Sequence, residues 1–527
     1  MKIQRQDRLM RALYGIIATL FLIATFHSGE VQAANYYLAP YGVDTGPGTT
    51  SDSPWKTFNF AIPKLLPGDT LVLADGTYNN LTSGYPDIRC GASATNGTAA
   101  QPITVKAENE RLAFLQGTGN ENVLFITNCA YWRFEGLRVA SVDSNIGVSG
   151  GVPVYATASN HLTFRRLLVS HNNRYKNSSL FILGAYGNMR GTDNSLIEES
   201  EFYTFHRHSI IIIGDNNIVR RNYVNSRDRQ DLPDGRYSDP INTGDGGITI
   251  YPGDNNIVEN NIIESTGIAL DIEADYGTAT NNHFLGNISL NTNFGVVLHA
   301  RGNTIHKMPQ GTFLENHVSL NARYYGGYFR SSKNTQCLHC MALDGKLGGF
   351  VADTTALVGD GQPSAYYKNS LVVNNTTYGF RFVNQNDFGI DSSTAFGHTT
   401  NFQPANQAQY ASLSSVDPGL GSCKVFIPDT SLLKGAGPNK TDIGANVLYR
   451  YQDGELTDIP LWSVATGEFT CGAQVAGFND IPGSSCFDVH ERLHVNTHGC
   501  SLPAGYGYGE ASDSQPPLPP TNVVVIN

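Results

Sequence analysis

Short β-branched runs recur along the middle of the chain, separated by Gly, Asn and Asp. Asn216–Val224 matches Asn255–Ile263, identical at five of nine positions. Weaker copies occur around Leu137, Leu167, Ser200, Asn287, Asn316, His339 and Asn369, at intervals of 22 to 39 residues. The spacing of apolar residues within each copy is not helical; each unit reads as two or three short strands. One such unit buries no face alone, but stacked units share a continuous core. Propeller units usually run to about 40 residues or more. The shorter units here predict an all-β fold, a right-handed parallel β-helix with capped ends. Asn at a repeated turn stacks as a side-chain ladder; Asn222, Asn261, Asn287, Asn316 and Asn369 are the expected rungs.

Glycine-led runs give one strand of each unit a common frame: Gly247–Tyr251, Gly267–Glu273, Gly295–Arg301, Gly326–Arg330 and Gly379–Phe382. Period-two alternation sends Ile248, Ile250, Ile268, Leu270, Ile272, Val296, Leu298, Phe329, Phe380 and Phe382 inward. The opposite face carries Tyr251, Asp271, Glu273, His299, Arg301, Tyr328, Arg330 and Arg381, expected to form a solvent-facing patch. Parallel strands stack about 4.8 Å apart. The glycine alignment places Asp271, His299 and Arg330 in one column, with Glu273 and Arg301 in a second.

Composition supports turns over helices. Charged residues make up 15% of the 527, against the usual ~25%, and Gly alone contributes 55. A formal net charge of −11 without a basic run argues against nucleic-acid binding. Residues 1–33 read as a signal peptide. Lys2, Arg5, Arg8 and Arg11 precede an apolar run from Ala12 to Phe26, and Val31-Gln32-Ala33 is a small-x-small cleavage site. That run is shorter than the roughly 20 residues that span a bilayer; an uncleaved anchor is the alternative. Export to the extracellular space or a bacterial periplasm follows, with no membrane span after cleavage and a monomer expected. Eight cysteines suit that oxidising setting. They are Cys90, Cys129, Cys337, Cys340, Cys423, Cys471, Cys486 and Cys500, their pairing unreadable from spacing. Cys337-Leu-His-Cys340 lacks a second pair at zinc-finger distance, so zinc is not expected there. The division expected is a cap and first coil over 34–100, the β-helix over 101–450, a cysteine-containing appendage over 451–507 and a Pro-rich tail over 508–527.

The outward patch is the sharpest chemical feature. A uronate lyase must neutralise a carboxylate, remove the C5 proton and protonate the leaving oxygen. Arg301, Arg330 or a bound cation supplies the first; His299 or Tyr251 supplies the others, with Asp271 alongside. Tyr328, Arg381 and His208 are candidate substrate contacts, His208 coming from the His206-Arg207-His208 run. Asp271, Glu273 and Asp275 alternate along one strand, a spacing that suits Ca²⁺. A hydrolase would instead pair Asp271 with Glu273 or Asp245. The charged loop from Asn225 to Gly246 is placed to wall the groove.

Toward the N-terminus, Pro54-Trp55-Lys56-Thr57 leads into a short capping helix near Ala61–Leu66. Pro67-Gly68-Asp69-Thr70 and Gly76-Thr77-Tyr78 follow with the first strand. These motifs resemble the secreted pectate-lyase-like β-helix proteins over roughly residues 35–400. Leu432–Gly435 and Asp442–Gly454 resemble the closing segment of bacterial members. The resemblance implies the fold and an extracellular polysaccharide partner. The superfamily contains lyases, hydrolases, epimerases and proteins without known activity. Its lyases commonly use Lys or Arg as the base, and here Lys307 and Lys333 lie only in loops, so no catalytic residue carries over. The expectation is a protein that acts on or binds extracellular polysaccharide, a uronate-specific lyase if an enzyme. The alternatives are a glycoside hydrolase or epimerase, or a non-catalytic surface or matrix protein.

Overall fold

The structure is a computed structural model. It describes residues 33–461 except 118–120, 142–150, 172–178, 186–190, 204–206, 227–245, 275–276, 300–306, 354–362, 384–386, 405–409 and 422–423. The expected leader up to residue 32, Cys423, Cys471, Cys486, Cys500 and the Pro-rich tail lie outside the described residues, as does most of the loop expected to wall the groove.

Three long parallel sheets, of 14, 12 and 12 strands, form the body as a right-handed β-helix. Each coil gives one strand to each sheet in turn. Ile257–Glu259, Ile262–Glu264 and Ile268–Glu273 make one coil; His283–Leu285, Ile288–Leu290 and Phe294–His299 make the next. The first and last strands of the second coil pair in parallel with those of the coil before. Inward residues from all three sheets fill one core, including Ile248, Leu270, Phe284, Val296, Phe329, Phe350 and Phe380. The cap uses the helix Phe58–Ala61, whose N-cap Thr57 accepts from the Phe60 amide, so the helix begins before the predicted Ala61. Among the described residues no helix is long and apolar enough to cross a membrane. Cys90 pairs with Cys129 and Cys337 with Cys340.

The asparagine ladder exists, with a corrected membership. Asn222 Nδ2 donates to Asn261 Oδ1 at 3.0 Å, and Asn261 Nδ2 to Asn287 Oδ1 at 3.0 Å. A parallel ladder joins Asn217, Asn256 and Asn282 at another corner. Asn316 and Asn369 are not rungs. They sit one position earlier, at φ 50° and 49°, in the left-handed turn that separates the first two sheets. His317 takes the rung after Asn287, because Val318 pairs with Ile288. Asn316 instead faces outward: its Oδ1 accepts from the Asn446 amide and its Nδ2 donates to the Tyr451 hydroxyl.

Those contacts belong to a closing segment that runs back over the second sheet. Val425, Phe426, Ile427, Leu433 and Ile443 pack on the outward side chains Tyr223, Ile262, Ile288, Val318 and Met341. The antiparallel hairpin Tyr449–Gln452/Glu455–Pro460 completes it. Arg220 donates to Asp453 at 2.7 Å, and Glu259 accepts from the amides of Asp453 and Gly454.

Candidate functional site

Among the described residues, the third sheet has no such apolar cover from the closing segment. Its strands start at a bend where Gly247, Gly295, Gly326, Gly349 and Gly379 stack. A Cβ at Gly326 would lie 2.4 Å from the Ala342 methyl, and one at Gly349 2.5 Å from Val372 Cγ1, so the bend admits little beyond glycine. One coil breaks this pattern: Ala269 occupies the glycine position, since Ile248 pairs with Leu270 and Leu270 with Val296. The frame expected from Gly267 is therefore two residues out for this strand. A shift of two keeps every side chain on its face but changes its neighbours.

The corrected columns follow from the register. Thr249, Asp271, Val297, Tyr328, Val351 and Arg381 form one. Tyr251, Glu273, His299, Arg330 and Asp353 form the other, with Glu273 directly opposite His299 and Arg330 opposite Asp353. Asp271 thus stands diagonal to His299 and two strands from Tyr328. Asp271, Glu273 and His299 still converge: one ligand atom from each lies within 4.8 Å of the others. His299 Nε2 is 3.4 Å from Asp271 Oδ1. Asp271 Oδ1 is buried and accepts no hydrogen bond among the described residues.

The patch is less open than expected. Asp271 and Glu273 are 1% and 2% exposed, whereas His299 is half-buried and Arg330 exposed. Ile268, expected in the core, is half-exposed; it precedes the bend and joins the outward residues. Tyr251 and His208 are buried. The Gly246 amide donates to His208 Nδ1 at 3.0 Å, so Nδ1 is the acceptor. Nε2 then carries the proton and donates to the Tyr251 hydroxyl at 3.1 Å. Thr249 Oγ1 lies 2.9 Å from the same Nδ1, which ties this pair to the strand beside Asp271. Both side chains are therefore closed off from solvent. Arg301, Asp275, Asp245 and His206 lie outside the described residues.

Several residues of this face were not anticipated. Phe294, Tyr325 and Tyr378 each precede a glycine of the bend, a recurring aromatic–Gly pair that the sequence does display. Phe294 lies 5.2 Å from the Tyr324 ring and 6.0 Å from the Tyr328 ring, and Tyr325 5.6 Å from that of Tyr328. Gly348 leaves a gap between Tyr325 and Tyr378 in this column. Arg381 stacks over Tyr378 at 4.6 Å and hydrogen-bonds Tyr325. The strand Gly348–Asp353 also escaped alignment, and with it Asp353, which accepts from the Tyr328 hydroxyl at 3.3 Å. Burial, reinforced by Asp353, pushes the Tyr328 hydroxyl up to about 12, so it keeps its proton at neutral pH.

Residues 36–210 match the family described as Pel9A-like, right-handed β-helix region. This stretch is similar to that family's β-helix region. The match ends before the strands that carry Asp271, Glu273 and His299. Among solved structures, the chain is similar to XylC in complex with xylose at 10% identity, over 73% of this chain and 87% of that one, with a TM-score of 0.49. It is similar to pectate lyase Pel9A at 15% identity, over 79% and 97%, with a TM-score of 0.44. A mannuronic-acid-specific family 6 polysaccharide lyase from human gut microbiota shows 11% identity over 73% and 87%, with a TM-score of 0.40. None of these assigns a substrate to this chain. No curated protein matches it.

Proposed function

We propose that this is an exported protein that acts on an extracellular uronate polysaccharide along the outer face of the third sheet, as a lyase. The observation that carries the reading is the run of Glu273, His299, Arg330 and Asp353 across adjacent strands, flanked by Tyr328 and Arg381. Strands about 4.8 Å apart offer a pitch close to that of successive sugar rings in an extended chain. Arg330 and Arg381 meet the uronate carboxylates; a guanidinium matches a carboxylate in two-pronged geometry. The half-exposed rings of Phe294, Tyr324 and Tyr325 supply flat apolar faces for the pyranose C–H groups. The Asp271–Glu273–His299 cluster is the reacting centre. A base of that cluster takes the C5 proton, the C5–H electron pair becomes the C4–C5 double bond, and Tyr328, protonated at neutral pH, delivers a proton to the leaving oxygen as the C4–O bond breaks.

The test is a screen on polygalacturonate, alginate and related polymers that follows ultraviolet absorbance of the unsaturated product. Reducing ends released without that absorbance would favour a hydrolase using Asp271 and Glu273. Binding without turnover would favour the non-catalytic reading.

A further inference from the structure

We infer that Asp271, Glu273 and His299 form a binding site for a divalent transition-metal ion of the zinc class, rather than for calcium. The inference concerns the reacting centre of the reading above, but its test involves no sugar, so the two can fail separately. The first ground is the donor set. Calcium takes six to eight oxygens. Of the three carboxylates expected for it, Asp271 and Glu273 are in place and Asp275 lies outside the described residues. The third donor that the fold brings in is an imidazole nitrogen. Imidazole with carboxylates suits zinc and its neighbours, which bind three protein groups and leave one position open.

The second ground is geometry. A charged imidazole–carboxylate hydrogen bond closes to about 2.7–2.9 Å. His299 Nε2 and Asp271 Oδ1 stop at 3.4 Å. Two donors each about 2.1 Å from a tetrahedral metal lie about 3.4 Å apart. Asp271 Oδ1 is also a carboxylate oxygen on a side chain 1% exposed that accepts no hydrogen bond among the described residues. Burying such a group is costly unless a cation or donor meets it. A cation held among the three groups meets it, and would supply positive charge where a uronate carboxylate needs it.

The measurement is calorimetric titration of the chelator-treated full chain with zinc chloride and, separately, calcium chloride. Thermal unfolding is followed under each condition. The expected result is one Zn²⁺ per chain with a raised melting temperature, and no such rise with Ca²⁺ at the concentration where zinc saturates. Asp271→Asn and His299→Ala should each weaken zinc binding at least tenfold. His283→Ala, on the outer face of the first sheet, should leave it unchanged. Circular dichroism checks that the variants keep their strands. For a variant that does not, Co²⁺ replaces Zn²⁺ in the wild-type chain, and its visible spectrum must show a nitrogen–oxygen, low-coordinate site. Absent zinc uptake, equal uptake in His299→Ala, an octahedral all-oxygen cobalt spectrum, or stabilisation by calcium alone would overturn the inference.

Discussion

The second and third sheets present outer faces of the same pitch, built from the same coils, yet one outward column of each differs sharply. On the second sheet the column runs Tyr223, Ile262, Ile288, Val318, Met341 and Leu371, apolar throughout, and the closing segment lies on it. On the third it runs Thr249, Asp271, Val297, Tyr328, Val351 and Arg381, beside Glu273, His299, Arg330 and Asp353. A parallel sheet with both faces covered reads as continuous apolar sequence. The third sheet departs from that rule only on its outer side, where polar groups of opposite charge meet. The lesson is that the solenoid gives its faces different surfaces: one side holds the closing segment, another presents the charged and aromatic side chains of the proposed site.

The strongest way to break this comparison is to place charge on the covered face. Ile288→Asp should cost about 4 kcal/mol or more, because the carboxylate would be sealed under Val425–Ile443. Urea denaturation reads the loss, and faster proteolysis within the closing segment should accompany it. Next, Asn261→Ala removes the middle rung of the ladder, leaving the Asn222 amide N–H without its side-chain acceptor and the Val219 and Glu259 carbonyls without this donor. A loss of about 3 kcal/mol is expected, several times that of an exposed Asn.

A pH experiment sharpens the same contrast. Burial beneath the second-sheet corner lowers His317 to about 3. The unfolded imidazole titrates near 6.5, so between those values the unfolded chain binds the extra proton. Stability should therefore fall as pH drops from about 6.5 toward 3, by up to about 1.4 kcal/mol per unit. His317→Asn, which offers the ladder an amide in place of the imidazole, should flatten that slope. An unchanged slope would place the acid sensitivity elsewhere. The smallest stability effect belongs to the third sheet: Arg330→Ala should change unfolding free energy by under about 0.5 kcal/mol, though it stands at the centre of the proposed groove.

The repeat, the handed solenoid and the inward–outward phase of the third sheet were legible because glycine is nearly obligatory at the bend and alternation follows from it. The phase holds at Ile248, Leu270, Ile272, Val296, Leu298 and Phe380. The columns were less legible. Ala269 fits where glycine is usual, and Gly267 nearby supplied a false frame. Gly348–Asp353 went unaligned although Gly349 leads it, which hid Asp353. Burial of Asp271 and Glu273 could not be read from alternation, which assigns a face and says nothing of what lies above it. Nor could the closing segment: the contacts from Tyr451 to Asn260 and Asn316 span well over a hundred residues. Asn316 was misplaced for the same reason, since a left-handed Asn and a ladder Asn look alike in sequence.

The central claim is that the outer face of the third sheet does the chemical work. It is tested most directly by one paired measurement on wild type, His299→Ala and Arg330→Ala: the rate of unsaturated-product formation on the uronate polymer that wild type degrades, beside the melting temperature. The account predicts that both variants lose nearly all of the rate while Arg330→Ala melts within a degree or two of wild type. Wild-type rates in both variants, or no unsaturated product from any uronate polymer with the wild-type chain, would contradict it.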